Sequence, residues 1–257
     1  MRIKGILGNK RVLLVAIILA AALPAMAWGP KAQLSIVSTT AHLVSSESGL
    51  KLFKLERNLR QGASVSPEML RTLYPALANN PVSAIEEEMY LLQVVHKGKV
   101  TPYFAYRLGA LAKLIADVTS PMSQASATYR NLYYADVENN IQRLSLKLLK
   151  AQNVEPTEYF QLRMAEANLN NEYIQRDYIS GVGFKGIAQK TLIDDASRSI
   201  ASIADVWRTV LTKRSSRSYV TETQVQRYAM DAIRSYIHRG NIAEIPAMDN
   251  QPAQLPP

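Results

Sequence analysis

The chain has 257 residues, of which 47% are hydrophobic and 20% charged, and its formal net charge is +9. This length is enough for one sizeable hydrophobic core. Four of the positive charges lie before residue 12, and without them the net charge is +5, which favours anionic partners only weakly. The sequence contains no cysteine, which excludes disulfides, thiolate metal sites, cysteine nucleophiles and lipid attachment at cysteine.

Residues 1–27 have the pattern of a secretory signal peptide. Four positive charges precede the apolar stretch VLLVAIILAAAL, which is followed by Pro24 and by AMA, a small-x-small cleavage sequence. The apolar stretch is shorter than the roughly 20 residues of a transmembrane helix. We therefore expect export to the periplasm or the extracellular space and a mature chain that begins at Trp28. The alternative is an uncleaved amino-terminal membrane anchor.

Helical periodicity dominates the rest of the chain. Apolar residues recur at helical spacing almost everywhere after residue 33, and no segment has the pattern of a strand. Ser66 and Pro67 have the residue types of an N-cap and a first helical position, and Gly49 is a point where the first helix could break. The predicted helices cover residues 33–59, 66–78, 81–98, 101–117, 126–152, 155–180, 184–214 and 221–240.

Short connections between these helices predict a single compact all-α domain over residues 28–240. The segment GVGFKG at 181–186 follows no strand, so it is interpreted as a connection between helices and not as a nucleotide-binding loop. Residues 241–257 contain four prolines and few large apolar side chains, which predicts a disordered tail.

Three segments carry a resemblance to a known family. They are WGPKAQLSIV at 28–37, LAKLIADVTSPMS at 111–123 and YYADVENNI at 133–141. Together they resemble the zinc-dependent phospholipase C family, which is related to the zinc-dependent single-strand nucleases. The resemblance implies an all-helical, secreted fold. It also implies a zinc cluster held by the terminal Trp, a His-x3-Asp-x5-His segment with Pro-Met before its last His, a His-x3-Glu segment and a first-helix His.

Transferred residue by residue, the family pattern is incomplete in this chain. The matching ligand positions are Trp28, Asp117 and Glu138, and His96 is a looser match. In an active family member, the residue at position 117 would belong to the catalytic centre. At the other ligand positions the family histidines are replaced by Gln33, Lys113, Ser123 and Tyr134. The family's remaining carboxylate has no clear counterpart, and Glu86, Glu87 and Glu88 are only nearby candidates.

The number of histidines also shows, without any alignment, whether a complete zinc site can form. The complete family site uses five histidines, whereas this chain has three: His42, His96 and His238. A complete trinuclear zinc site is therefore excluded, and at most one zinc ion could be held by the remaining donors, a weak set for that metal. We expect a non-catalytic binding or structural module without a cofactor. The alternative is a phosphodiester hydrolase, of phospholipase C or nuclease type, with a reduced metal site.

Lys113 lies four residues before Asp117 on a predicted helix, so its ammonium group can reach that carboxylate. One hypothesis is that this ion pair takes the structural place of a metal. The alternative is a solvated surface pair, for which about 0.3–0.5 kcal/mol is typical. The lone Ser123 has no assignable base and is interpreted as a turn residue.

The remaining polar and aromatic positions have structural explanations. His42 is interpreted as a helix residue, and His96 and His238 lie near helix ends that their charge would suit. The acidic run 86–88 and the pair Asp194–Asp195 are interpreted as solvated. The basic segment KRSSR at 213–217 is interpreted as a basic helix terminus, although it could meet phosphate. Tyr129, Tyr133 and Tyr134 are expected in helix interfaces. A phospholipid or another phosphodiester is the expected occupant of any cleft; nothing indicates specific nucleic-acid binding, and no protein partner can be named.

Overall fold

The computed structural model describes residues 28–123, 125–141, 147 and 149–238, and within these ranges the secondary structure is helical, with no strand. These residues form a single compact helical domain, so the all-α prediction is confirmed. The predicted leader at 1–27 and tail at 241–257 lie outside the described residues. The α-helices are α1 Pro30–Ser48, α2 Glu56–Ala63, α3 Pro67–Leu73, α4 Pro81–Val95, α5 Pro102–Val118, α6 Ala127–Asn140, α7 Pro156–Asn168, α8 Asn171–Ile179, α9 Ile187–Thr212 and α10 Glu222–His238.

Local capping residues set several helix starts as the sequence predicts. The Ser66 hydroxyl accepts a hydrogen bond from the Met69 amide at 3.2 Å, and Pro67 is the first residue of α3. Thr101 caps α5 in the same way, through the amide of Phe104. The long first helix does break at Gly49, whose φ of +69° lies in the left-handed region that favours glycine.

Two predicted helices are shorter in the structure than expected. The helix predicted over 126–152 ends at Asn140, and the described residues 149–155 are not helical. In that segment the Gln152 amide donates to the Asp205 carboxylate at 3.1 Å instead of to a helical carbonyl. The helix predicted over 155–180 divides before Asn171, whose side-chain oxygen accepts from the Met122 amide at 2.8 Å.

Helix α5 is the centre of the core, since fourteen of its seventeen residues are buried. Helix α2 crosses it at two glycines. A Cβ atom at Gly62 would lie 1.9 Å from the Tyr106 carbonyl oxygen, and one at Gly109 would lie 2.0 Å from that of Leu59. The long helix α9 packs on α5 as well, and its Trp207 indole donates to the Leu108 carbonyl at 3.2 Å.

No helix within the described residues combines the length and the hydropathy that crossing a membrane requires.

Candidate functional site

Trp28 lies fully buried where α1, α5, α6 and α9 meet. Its indole N–H donates to the Ser199 hydroxyl at 3.2 Å, and that hydroxyl is 3.0 Å from the hydroxyl of Thr119 at the end of α5. The Trp28 ring also lies 6.3 Å from the Tyr134 ring, measured between centroids. We call the group formed by Trp28, Lys113, Asp117, Tyr134 and Glu138 the Trp28 cluster; its members are the positions that the family resemblance singles out around this residue.

The carboxylate of Glu138, on α6, caps the N-terminus of α1. One oxygen accepts from the Lys31 amide at 2.9 Å and the other accepts from the Ala32 amide at 2.8 Å. The first amides of a helix have no partner within the helix, and a negative charge there is favoured by the helix dipole. Gly29 makes this approach possible, because a Cβ atom at that position would lie 2.5 Å from the Glu138 carboxyl group. Both oxygens of Glu138 are therefore engaged in stabilising α1.

Lys113 and Asp117 form the ion pair that their spacing predicts, with 3.5 Å between Nζ and Oδ2. The Lys113 side chain is only 3% exposed, whereas that of Asp117 is 26% exposed. The pair is thus a partly buried one and not the solvated surface pair of the alternative interpretation. The Lys113 ammonium group therefore stands beside the carboxylate at which the resemblance places a metal ligand.

Tyr134 fills the position of the family's second-segment histidine and is held by hydrogen bonds to the turn after α5. Its hydroxyl donates to the Pro121 carbonyl at 2.6 Å and lies 3.2 Å from the Ser120 hydroxyl. Burial raises the pKa of the Tyr134 hydroxyl, so this group is protonated and acts as a donor. The same turn contains Met122 with a φ of +60° and ends at Ser123, whose carbonyl accepts from Arg130 at 3.4 Å.

Gln33, at the position of the first-helix histidine, points into the interior and is 3% exposed. Within the described part of the chain, neither its amide oxygen nor its amide nitrogen has a hydrogen-bond partner. Such a buried amide costs free energy. The family resemblance places a metal ligand at this position, but an uncharged amide is a weak donor for zinc.

The structure does not bring His96 to the other candidate ligands. The His96 ring packs against Phe104 at the start of α5, with 5.2 Å between ring centroids. Asp117 lies thirteen residues after Phe104 on the same helix, which corresponds to about 20 Å at 1.5 Å per residue. His96 and Asp117 therefore cannot share one metal ion in this structure. Desolvation lowers the pKa of His96 and favours its neutral form.

The donors of the Trp28 cluster do not fit a zinc ion in the arrangement observed. Glu138 uses both oxygens for backbone amides, and the Lys113 ammonium stands at Asp117, where a second cation would be repelled. Among the residues that the structure describes, no three His, Asp or Glu side chains are grouped so that they could hold a metal ion.

The remaining histidines take other roles. His42 is exposed, stacks on Phe53 with 6.1 Å between ring centroids and lies 3.9 Å from the Glu56 carboxylate. His238 is the last residue of α10, in agreement with its predicted place at a helix end. Among the described residues, His42 contacts Phe53 and Glu56 and not the Trp28 cluster. The three tyrosines at 129, 133 and 134 are at least partly buried against the core, as expected for helix interfaces.

The prediction that the acidic pairs are solvated is wrong for two residues. Glu88 is 2% exposed, and both of its oxygens accept from Arg107, one of them at 2.9 Å. Asp195 is also 2% exposed and is paired with Arg198 at 2.8 Å. By contrast, Asp194 is exposed, as predicted, and pairs with Lys147. Adjacent residues on a helix point in different directions, which places one member of each group in the core.

A second polar cluster, which the sequence interpretation missed, surrounds the Glu88–Arg107 pair. The Arg107 guanidinium lies 5.3 Å from the ring centre of Tyr74 and 5.7 Å from that of Tyr228, and it donates to the Tyr103 hydroxyl at 3.3 Å. Tyr74, Glu88, Arg107 and Tyr228 border a cavity of about 230 Å³. Burial raises the pKa of Tyr74 well above its ordinary value. The single arginine within the apolar helix YFAYRLGALAKL was the signal in the sequence, since a buried cation needs a buried partner.

Comparisons of the chain with protein-family models, with curated proteins and with solved structures give no match. The arguments about function therefore come from the residues of this chain and from the motif resemblance.

Proposed function

We propose that the protein is an exported, non-catalytic binding or structural module built on a scaffold like that of zinc-dependent phospholipase C. In this proposal the Trp28 cluster is the remnant of a metal site whose residues now stabilise the fold. The protein would need no zinc, and its proposed ligand is a phospholipid or another phosphodiester.

The observation that carries this proposal is that the Glu138 carboxylate caps the start of α1. Both Glu138 oxygens accept from the first amides of α1, at 2.8 Å and 2.9 Å, so the carboxylate already has partners in the protein that hold it at the start of the helix. The ion pair between Lys113 and Asp117 supports the same reading, because an internal ammonium group supplies the positive charge that a metal would bring. In this proposal, the contact of Glu138 with α1 and the contact of Lys113 with Asp117 each take the place of a contact with a metal ion.

The positions of the matched residues support the scaffold resemblance. Trp28 is far in sequence from Tyr134 and Glu138, yet its ring packs against Tyr134 and the helix that follows it is capped by Glu138. The family resemblance implies such a neighbourhood, with the amino-terminal Trp beside the His-x3-Glu segment. Export remains an expectation from residues 1–27, and amino-terminal sequencing of the secreted protein should begin at Trp28.

The experiment measures zinc content and phosphodiester hydrolysis on the same preparation. Purified protein is dialysed with and without zinc and assayed with phosphatidylcholine and with a chromogenic phosphate diester. We expect less than stoichiometric zinc after dialysis, no hydrolysis that depends on Asp117, and an unfolding midpoint that a chelator does not change.

Asp117→Asn is the test variant, and Asp194→Asn is its matched control, because Asp194 is exposed on α9 and its ion pair among the described residues is with Lys147. Hydrolysis that is abolished both by a chelator and by Asp117→Asn, but not by Asp194→Asn, would establish the alternative function, a hydrolase with a reduced metal site. Stoichiometric zinc that survives dialysis would also overturn the proposal.

A further inference from the structure

A cavity of about 360 Å³ lies at the end of α5 opposite Asp117, between the end of α4 and the segment that follows α9. We call it the basic cavity. Its lining residues are Gln93, Val94, His96, Lys97, Arg214, Ser215 and Arg217. Three of these residues carry a fixed positive charge and none carries a negative one.

The three cations of the basic cavity are not neutralised by the rest of the described structure. Lys97, Arg214 and Arg217 are all exposed, and none forms an ion pair with a carboxylate among the described residues. The buried Arg107 and Arg163, by contrast, each pair with a carboxylate. A concave surface with cations of one sign attracts anions more strongly than isolated charges do.

A competing explanation is that these cations only complement helix ends. Helix α4 ends at Val95 and α9 ends at Thr212, so the cavity lies at two helix C-termini. Each C-terminus carries roughly half an elementary negative charge. The two ends together offset about one of the three positive charges. The helix ends therefore do not offset all three cations, and the excess positive charge suits an anion such as a phosphate monoester, whose charge at pH 7 is about −1.5 to −2.

The segment that carries the two arginines is held in place before any ligand binds. Residues Arg217–Tyr219 form a 3₁₀ turn, and the Ser216 hydroxyl accepts from the Ser218 amide at 3.3 Å. The Tyr219 ring stacks on Tyr90 of α4 with 4.7 Å between centroids. This stack joins the two walls of the cavity, so binding would not need to order the segment first.

Neutral donors are fixed at the same place. The Gln93 amide donates to the Thr209 carbonyl at 3.2 Å and thereby ties α4 to α9 beneath the cavity. The His96 ring is held against Phe104, and its Nε2 atom has no hydrogen-bond partner among the described residues. Ser215 adds a hydroxyl to the lining. Guanidinium groups together with neutral donors are the groups that bind phosphate oxygens in proteins.

We infer that the basic cavity is a binding site for a phosphate monoester group. The phosphate could belong to a small soluble compound or to the headgroup of a phosphatidic-acid-type lipid, and both present the same dianion. The inference does not rest on the proposed function, since the cavity lies about 20 Å along α5 from Asp117. A phosphate would bind there whether or not the Trp28 cluster holds a metal ion.

The first arm of the test uses soluble ligands. Inorganic phosphate and glycerol 3-phosphate are titrated into the purified protein by calorimetry at 0.15 M salt, with chelator present so that no zinc contributes. We expect saturable binding of one equivalent. The double variant Arg214→Gln/Arg217→Gln should weaken it at least tenfold, because each arginine lost removes a charge-assisted hydrogen bond. The control is Lys54→Gln/Arg57→Gln, which removes two exposed cations elsewhere and should leave the affinity unchanged.

The second arm identifies the source of the phosphate. The protein is sedimented with phosphatidylcholine vesicles that contain phosphatidic acid, phosphatidylglycerol or neither. Binding that prefers phosphatidic acid over phosphatidylglycerol and is lost in the Arg214→Gln/Arg217→Gln variant assigns the site to a lipid headgroup. Saturable binding of glycerol 3-phosphate without vesicle binding assigns it to a soluble phosphate. The inference is overturned if neither ligand binds, or if the control variant loses binding as much as the cavity variant does.

Discussion

The contact between Glu138 and the start of α1 permits a prediction that separates a helix cap from a metal ligand. Substitution of Glu138 by alanine removes two charge-assisted hydrogen bonds, at 2.9 Å and 2.8 Å. Buried bonds of this kind contribute about 1.5–3 kcal/mol each. The Lys31 amide is exposed, so water can replace its partner, whereas the Ala32 amide is partly buried. We therefore count one bond in full and expect Glu138→Ala to lower the free energy of unfolding by about 2–3 kcal/mol.

Glu138→Gln separates the loss of charge from the loss of both hydrogen bonds, because the glutamine amide retains one oxygen that can accept from the Ala32 amide. What is lost is the charge at the helix N-terminus, for which about 0.3–1 kcal/mol is typical, and the bond to the exposed amide. We expect a loss of about 1 kcal/mol, measured by urea unfolding. Glu87→Gln is the control, since Glu87 is exposed in the middle of α4 and forms no ion pair among the described residues.

Gly29 supplies a second and independent check of the same contact. Its φ of −66° suits alanine, so the obstacle to a side chain is the Glu138 carboxyl group, 2.5 Å from the position of a Cβ atom. Gly29→Ala should therefore displace the carboxylate and destabilise the native chain, but it should cost much less in the Glu138→Ala background. The coupling energy of the double-mutant cycle should be about 1 kcal/mol or more.

Two results would refute this reasoning. If Gly29→Ala has the same effect in both backgrounds, the carboxylate does not lie over the helix start. If the difference between the native chain and Glu138→Gln disappears when a chelator is added, Glu138 stabilises the protein through a metal ion. Urea unfolding with and without chelator, on the four proteins of the cycle and on Glu138→Gln, distinguishes these outcomes.

Three further predictions concern the buried charges. Lys113→Met removes the Lys113 cation from the Asp117 carboxylate and should lower the free energy of unfolding by about 1–3 kcal/mol. The double variant Lys113→Met/Asp117→Asn should recover part of this loss. A loss that the double variant does not reduce would contradict the pairing. Arg107→Met removes the partner of Glu88, a carboxylate that is 2% exposed, and should lower the free energy of unfolding, measured with urea, by about 3–5 kcal/mol. A loss below about 1 kcal/mol would mean that the pair is hydrated. Burial raises the pKa of Asp195 above its ordinary value of 3.8, so this carboxyl group stabilises the fold below that pH and the stabilisation is lost as the pH rises through the raised pKa. The free energy of unfolding of the native chain, relative to that of Asp195→Asn, should therefore fall as the pH is raised from about 4, and a constant difference would show that the pKa is not raised.

Helix starts could be predicted from the sequence because they depend on neighbouring residues. Ser66 with Pro67 and Gly49 act within one turn of the chain, and the structure has a cap and a break at those places. Other contacts join partners far apart in sequence: the Gln152 amide donates to Asp205 beyond the end of α6, and the Asn171 side chain accepts from the Met122 amide. No local pattern encodes such contacts.

The family motifs singled out the residues of the Trp28 cluster, but they did not predict the role of each residue. Helical spacing alone predicted the pair of Lys113 with Asp117, because residues four apart share a face. The capping of α1 by Glu138 joins segments more than a hundred residues apart, and the sequence holds no sign of it. His96 was placed among the ligands because it is near α5 in sequence, although it lies at the other end of that helix.

The glycine contact between α2 and α5 has a mechanical consequence for the two ends of α5. At Gly62 and Gly109 the backbones meet without side chains between them, so a larger residue at either position would push α5 away from α2. Gly109 stands between Phe104 and Asp117, near the middle of the helix. Such a push would shift the whole of α5 and would therefore reach both the end beside the basic cavity and the end beside Trp28.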